Sequence, residues 1–353
     1  MFIADKARGL RRRIYTGFFD LLGDRGLSTF YAPRFAGIGV IFMGHRVMPA
    51  GATTLEPCYA ITTTALEACL SSITRAGWRL VSLDELHKAL VDGAPTERLA
   101  CFTFDDGYLD NYTLALPIFR KYNAPMCVYA ATGMIDRSMF YWWGTLEHLV
   151  LTHDTITLTL PGDPGGTRRM ATGTLAAKLA AYQSIDAWAH ANPELVEDVL
   201  RPLFRDHGVD ERVRLDRDVL TPAQLREMAA DPLVTIGSHA MTHSRLSLMT
   251  EEAMRTELVA SRQCLEEWSG TPVRHLAYPF GGRNSCGPRE FEAAKDSGYL
   301  TAVTTRRGNI FPDHRDHLLS LPRRETSPVA ADARLALYGL STILRRDPLM
   351  VTD

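Results

Sequence analysis

Leu99-Ala100-Cys101-Phe102-Thr103-Phe104-Asp105-Asp106-Gly107-Tyr108 sets a short, largely apolar run against two adjacent carboxylates and a glycine. Six residues of that character, without polar alternation, predict a strand buried on both faces, as strands of parallel sheets are. The strand ends where the charges begin, so both acids stand at its C-terminal end. Carboxylates this close raise each other's pKa unless a cation compensates. Successive strand residues point to opposite sides, so the two acids are expected to do different work, one on a cation and the other on a proton.

Outward from this strand the chain keeps one rhythm. Upstream, Gly39-Val40-Ile41-Phe42 predicts a strand, 64–76 a helix and Arg79-Leu80-Val81 a strand, and Ser82-Leu83-Asp84-Glu85 opens a second helix. Downstream follow a helix over 111–122 and a strand over 126–131. Strand, helix, strand in repetition implies an α/β fold with a parallel sheet or barrel. Between about 136 and 218 the rhythm breaks. Ile156-Thr157-Leu158-Thr159-Leu160 and Arg168-Arg169-Met170 flank a Pro/Gly-rich turn, and helical patterns run over 175–189 and 193–204. This stretch reads as an insertion carried by a barrel loop. The rhythm resumes at Thr221-Pro222, a helix cap with proline at the first helical position, and a strand over 233–236. Further strands are expected over 275–279, 300–303 and 319–321.

Directly after the 233–236 strand comes His239-Ala240-Met241-Thr242-His243. Two imidazoles and one carboxylate leave zinc an open position for water, whereas a structural site fills all four positions with protein. The same donors suit cobalt, nickel or manganese nearly as well. An isolated Asp-Asp-Gly is ordinarily a turn, and an isolated His-x-x-x-His is ordinarily surface decoration. Both follow buried strands here, on the face where β/α barrels keep their chemistry, and that tilts the pair toward a divalent metal site.

Composition narrows the rest. With 353 residues and 46% hydrophobic content, the chain can form one large barrel or two ordinary domains. A net charge of -2 gives no global reason to bind nucleic acid. The six cysteines include no C-x-x-C pair and read as reduced thiols, so a cytoplasmic protein is expected. Lys6, Arg8, Arg11, Arg12 and Arg13 precede a short apolar stretch that Asp20 interrupts, which does not make a signal peptide. Leu10, Ile14, Phe18 and Leu21 recur at helical spacing and predict a packed surface helix, with peripheral membrane contact as the alternative. Leu335, Leu337, Leu340, Ile343 and Leu344 predict another amphipathic helix, and no apolar run is long enough to span a bilayer. There is no G-x-S-x-G elbow, P-loop or complete dinucleotide fingerprint.

The chain resembles the polysaccharide deacetylase family, which includes the nodulation chitooligosaccharide deacetylases. The likeness rests on Thr103-Phe104-Asp105-Asp106-Gly107-Tyr108, on Ser238-His239 with His243, and on Ala277-Tyr278-Pro279-Phe280-Gly281. It implies an irregular (β/α) barrel that removes acetyl groups from N-acetylated sugars. By the resemblance Asp106, His239 and His243 would hold the metal, Asp105 would be the general base and the Phe280 N–H would help to hold the oxyanion. Two departures stand out. Ala277 occupies a position where many members carry arginine, and no leucine-x-x-histidine is placed near the end. The pattern is most similar to the subgroup acting on poly-N-acetylglucosamine, where a histidine near the first strand supplies the acid, and Gly44-His45-Arg46-Val47 fits that description. Amide hydrolysis independently needs an acid to protonate the leaving amine, a task that suits imidazole near neutral pH. His45 is the candidate, with His314 and His317 as fallbacks.

Tyr278, Trp142 and Trp143 are candidate sugar contacts, one tryptophan being expected in the core and the other in the cleft, and Arg323 is a candidate to orient Asp105. The expected organisation is an N-terminal extension over 1–35, a catalytic barrel over 36–326 with its insertion, and a C-terminal helix and tail over 327–353. The alternatives are a deformylase or other amidase on the same metal site, and an inactive carbohydrate-binding barrel.

Overall fold

The computed structural model describes residues 34–93, 97–161 and 166–326, together with Leu337. The amphipathic helix expected over 1–35 lies outside the described residues except at its very end. So does the tail after 326, apart from Leu337, which is helical and buried in the main core.

In chain order the strands are β1 (Gly39–Gly44), β2 (Arg46–Met48), β3 (Ala60–Thr62), β4 (Arg79–Leu80), β5 (Leu99–Phe104), β6 (Met126–Ala130), β7 (Thr155–Thr159), β8 (Thr167–Ala171), β9 (Val234–Ser238), β10 (His275–Ala277), β11 (Thr301–Arg307) and β12 (Leu321–Glu325). The helices are α1 (Thr63–Arg75), α2 (Leu83–Asp92), α3 (Leu116–Lys121), α4 (Thr132–Ile135), α5 (Trp142–Thr152), α6 (Leu175–Ala191), α7 (Val196–Asp206), α8 (Glu211–Asp218), α9 (Pro222–Ala229), α10 (Glu251–Ser269) and α11 (Pro288–Asp296).

Seven parallel strands close a barrel in the order β1-β12-β11-β10-β9-β6-β5, because β5 returns to pair with β1 along its whole length, from Gly39 beside Leu99 to Gly44 beside Phe104. β4 pairs only with the start of β5, whereas β6 pairs with its end. The barrel is irregular. β9 and β10 meet at the single pair Ser238 and Leu276, and the β11–β12 register shifts between Val303 and Arg307. Every residue of β1, β5 and β6 is buried, which explains why these strands are continuous apolar runs.

Local chemistry starts the surrounding helices where the sequence signals them. Ser82 and Glu85 form a reciprocal capping box at α2, Thr221 and Gln224 form another at α9 with Pro222 at the first position, and Thr250 caps α10. Each such cap contributes about 1 kcal/mol. The helix expected over 111–122 instead opens with a π-helical turn, Asn111–Ala115, before α3.

The segment between α4 and α9 carries the antiparallel pair β7–β8 and four α-helices, α5 to α8. The hairpin tip, 162–165, lies outside the described residues. Leu146, Leu149, Ile156, Ile185, Leu200 and Phe204 form a core here that is separate from the barrel's, so the inserted elements pack chiefly on one another.

The last strand differs from the sequence expectation, running over Leu321–Glu325 rather than 319–321. Leu-Pro-Arg-Arg-Glu reads as a surface turn, yet Arg323 is fully buried because it has an acid to pair with. All six cysteines are free thiols. Cys69, Cys101, Cys127 and Cys286 are buried, but Cys58 is exposed and Cys264 partly so. Among the described residues no helix is long and apolar enough to cross a membrane.

Candidate active site

The C-terminal ends of β5, β9, β10 and β12 converge on one rim. β5 stops at Phe104, and the Asp105 N–H donates to Gly44 O at 2.9 Å. Asp106 then turns into left-handed backbone, φ 77°, followed by Gly107 at φ 85°. A Cβ at Gly107 would come within 3.0 Å of Ile135, so the close turn needs glycine there. Three further non-glycine residues around this rim adopt positive φ, namely Ala240, His243 and Phe280. Such strain persists only where the surroundings over-determine it and gathers at functional sites.

The turn sends the two acids to different partners. Arg323 of β12 reaches across the barrel and grips Asp105 with two hydrogen bonds, Nη1 to Oδ1 at 2.6 Å and Nη2 to Oδ2 at 2.7 Å. Its Nη1 also donates to Thr103 Oγ1 and its Nε to Thr304 O. Asp105 is 2% exposed and Arg323 0%. Burial opposes ionisation of Asp105, but the paired guanidinium outweighs it and holds the carboxyl well below its ordinary range.

Asp106 has no such partner. Burial pushes its carboxyl up, and its Oδ1 accepts no hydrogen bond. That oxygen instead faces His239 Nε2 at 3.5 Å and His243 Nε2 at 3.3 Å. The His239 Nδ1–H donates to Ala277 O at 2.7 Å, which leaves Nε2 as a bare acceptor aimed at Asp106. Burial first, together with the other histidines near it, lowers the His243 imidazole to about 4, and burial lowers His239 to about 4 as well. Both rings are therefore neutral at neutral pH, the form that ligates metal. One oxygen and two imidazole nitrogens lie within 4.8 Å of one another. Acceptor facing acceptor, with a buried carboxylate oxygen left without a donor, fits a divalent cation and leaves coordination positions open.

The histidine loop is anchored from behind. Glu257 of α10 accepts from the Met241 N–H at 2.8 Å, the Thr242 N–H at 3.0 Å and the Thr242 hydroxyl at 2.9 Å. Ser238 Oγ bonds Ser261 Oγ at 2.5 Å. Phe280 lies 5.1 Å from the His243 ring and, among the described residues, its N–H has no intramolecular acceptor. Gly281 must follow it, since a Cβ there would strike Thr305 N at 2.6 Å.

His45, just beyond β1, stands with Nε2 3.9 Å from Asp105 Oδ2. The next segment fixes its backbone: Asn111 Nδ2 donates to His45 O at 2.8 Å, and Asp110 accepts from the Val47 N–H at 3.0 Å and from Arg46 Nε at 2.6 Å. His314 and His317 are not brought to this rim. They belong to the turn leading into β12, next to Ile310, which pairs with Gly39 at the opposite, strand-starting end of the barrel. Tyr278 is also not brought to the cleft. It is fully buried, packs on Phe291 and donates its hydroxyl to Leu319 O at 3.0 Å, so it serves packing. Arg323 is fully buried and paired with Asp105, so no part of it faces the open cleft. Both tryptophans of α5 are partly buried rather than one in and one out. Trp143 donates to the Tyr108 hydroxyl at 2.9 Å and lies 5.2 Å from His243, while Trp142 lies 5.5 Å from His190. His190, Glu56 and Asp186 near this rim escaped sequence reading, because each sits in a segment with no motif around it.

The polysaccharide deacetylase family model matches residues 92–301. The chain belongs to the polysaccharide deacetylase family. Among curated proteins it is similar to the putative polysaccharide deacetylase YxkH of Bacillus subtilis (strain 168), at 22% identity over 247 residues, 70% of this chain and 58% of that protein. The chain therefore spans less than two thirds of that relative's length. Its fold is similar to that of the Streptococcus pyogenes deacetylase PplD in complex with acetate, with a TM-score of 0.54 and 18% identity over 85% of this chain and 97% of that one. IcaB from Ammonifex degensii gives a TM-score of 0.53 and 18% identity over 86% and 97% of the two chains.

Proposed function

We propose that this chain is a metal-dependent hydrolase that removes N-acetyl groups from N-acetylated sugars of a glycan and releases acetate. The observation that carries the reading is the division of labour between adjacent acids: Asp105 clamped by Arg323, Asp106 aimed with its bare oxygen at two neutral imidazoles. Family membership and the acetate bound in the S. pyogenes deacetylase support it.

Asp106, His239 and His243 would hold the cation, which when bound supplies Lewis-acid polarisation of the acetamide carbonyl and an acidified water. Zinc, cobalt, nickel and manganese all suit these donors. The chain's own residues do the rest. Asp105, kept anionic by Arg323, takes the proton of the attacking water. The Phe280 N–H donates to the oxygen that becomes negative as the carbonyl turns tetrahedral. His45 delivers a proton to the nitrogen, the C–N bond breaks, and acetate and a free amine leave. The position of His45 after the first strand favours poly-N-acetylglucosamine as the glycan.

The test is release of acetate and of formate from N-acetylglucosamine oligomers and from a formylated amino sugar, after loading with each metal in turn. Acetate from the oligomers is expected. Formate alone would move the reading to a deformylase, and no release with any metal would leave an inactive carbohydrate-binding barrel.

A further inference from the structure

We propose that the insertion and the loop between β2 and β3 build a second subsite beside the metal site, for the cationic amine of a neighbouring sugar that has already lost its acetyl group. The inference rests on the glycan reading above and goes beyond it, because it makes a partly deacetylated chain the preferred ligand.

Three carboxylates from three separate segments lie within electrostatic reach of one another near the rim: Glu56 of the β2–β3 loop, Glu147 of α5 and Asp186 of α6. Burial first, and then Asp186 and Glu147, push the Glu56 carboxyl up to about 7. Among the described residues none of the three pairs with lysine or arginine. Asp186 meets only His190, at 3.3 Å, and Glu147 accepts from the Thr54 hydroxyl at 2.6 Å and the Leu55 N–H at 2.7 Å. Carboxylates gathered without a cation repel one another, and a bound cation relieves that repulsion.

A second observation points to the same spot. Tyr182 of α6 is 2% exposed, and its hydroxyl is directed at the Glu56 carboxyl without completing a well-formed hydrogen bond. A phenol left so, under a group of acids, provides a polar floor that a further donor in the cluster would complete. A metal is the poorer candidate: among the described residues only Asp106, His239 and His243 gather three ligand atoms closely enough to share one ion. An ammonium group, with three donors spread around it, suits acceptors set wider apart.

The cluster is continuous with the catalytic rim. Tyr59, three residues after Glu56, packs edge-on against His45 at 4.8 Å, and partial burial, then Cys58, Glu56, Asp186 and Asp106, all raise its hydroxyl. From the other side His190 lies 5.6 Å from the Phe280 ring, which itself lies 5.1 Å from His243. The indole of Trp142, 5.5 Å from His190, offers an apolar face for the same sugar ring. A polymer running past the metal site would pass these carboxylates, and a free amine there is the product the first reaction makes.

The experiment is titration calorimetry of the full chain with glucosamine tetramer and, separately, N-acetylglucosamine tetramer, at two salt concentrations. The wild type is expected to bind the amine-bearing tetramer more tightly, with a preference that shrinks as salt rises. Glu56→Gln with Asp186→Asn should lower that preference about tenfold or more, the effect of losing charge-assisted hydrogen bonds. Each single variant should give part of the loss. Equal affinity of the wild type for the two tetramers, or a preference the variants keep, would overturn the proposal. Because binding is read without turnover, a chain that prefers the amine but releases no acetate would fail the deacetylation reading alone.

Discussion

The barrel rim and the outer surface of the insertion use the same charged residue types in opposite ways. At the rim, Asp105, Asp106 and Arg323 are buried, the backbone is strained and one carboxylate oxygen is left bare. In the insertion, Arg205 and Asp206 pair at 3.3 Å on open surface, and Arg201 pairs with Glu197 in the same exposed manner. Burial multiplies what a charge does, whether as stability, as metal affinity or as a cost when its partner is lost. On the proposed function the rim carries the chemistry, and the insertion lends its walls.

If that contrast holds, the largest effect belongs to His239→Ala, which should abolish both acetate release and metal content, measured on the purified variant. Asp105→Asn should lower turnover by about 10²–10⁴-fold, the usual reach of a general base. Arg323→Met should destabilise the fold by about 3–5 kcal/mol in denaturant titration, since it leaves Asp105 charged and unpaired in the interior. Arg205→Ala, in the insertion, should change stability by less than about 1 kcal/mol. Equal penalties for the two arginines would erase the distinction between the regions.

Acid sharpens the comparison further. Burial lowers His314 to about 4, as it does His239 and His243. Between the ordinary histidine range and about pH 4 the unfolded chain therefore binds protons that the native chain does not. Stability must rise with pH across that window and fall as acid is added. Asp105 has the opposite ionisation with the same direction: its native pKa is depressed, so its contribution is full above the ordinary carboxylate range and is lost only at lower pH. The melting temperature of the chelator-treated protein should fall from about pH 6.5 toward 4. His314→Gln should reduce that slope.

Much of the barrel was legible because strands buried on both faces leave continuous apolar runs, as Leu99 to Phe104 does. β12 was not, because its Arg323 and Arg324 are buried through partners far away in the chain, and periodicity reads charge as surface. The β2–β3 ribbon, with three residues on each side, is too short to carry a pattern. Asp105, Asp106, His239 and His243 could be singled out because each group follows a buried strand. Glu56, Asp186 and His190 could not, since only the packing of α6 against the rim makes them neighbours. Tyr278 misled for a related reason: in a strand-end segment, neighbouring side chains alternate between cleft and core.

The central claim is that two adjacent acids divide metal binding from proton transfer, and metal content of Asp105→Asn and Asp106→Asn by mass spectrometry tests it most directly. The account predicts about one bound divalent ion in Asp105→Asn, as one mononuclear site requires, and little or none in Asp106→Asn. An Asp106→Asn protein that keeps its metal while Asp105→Asn loses it would contradict the account.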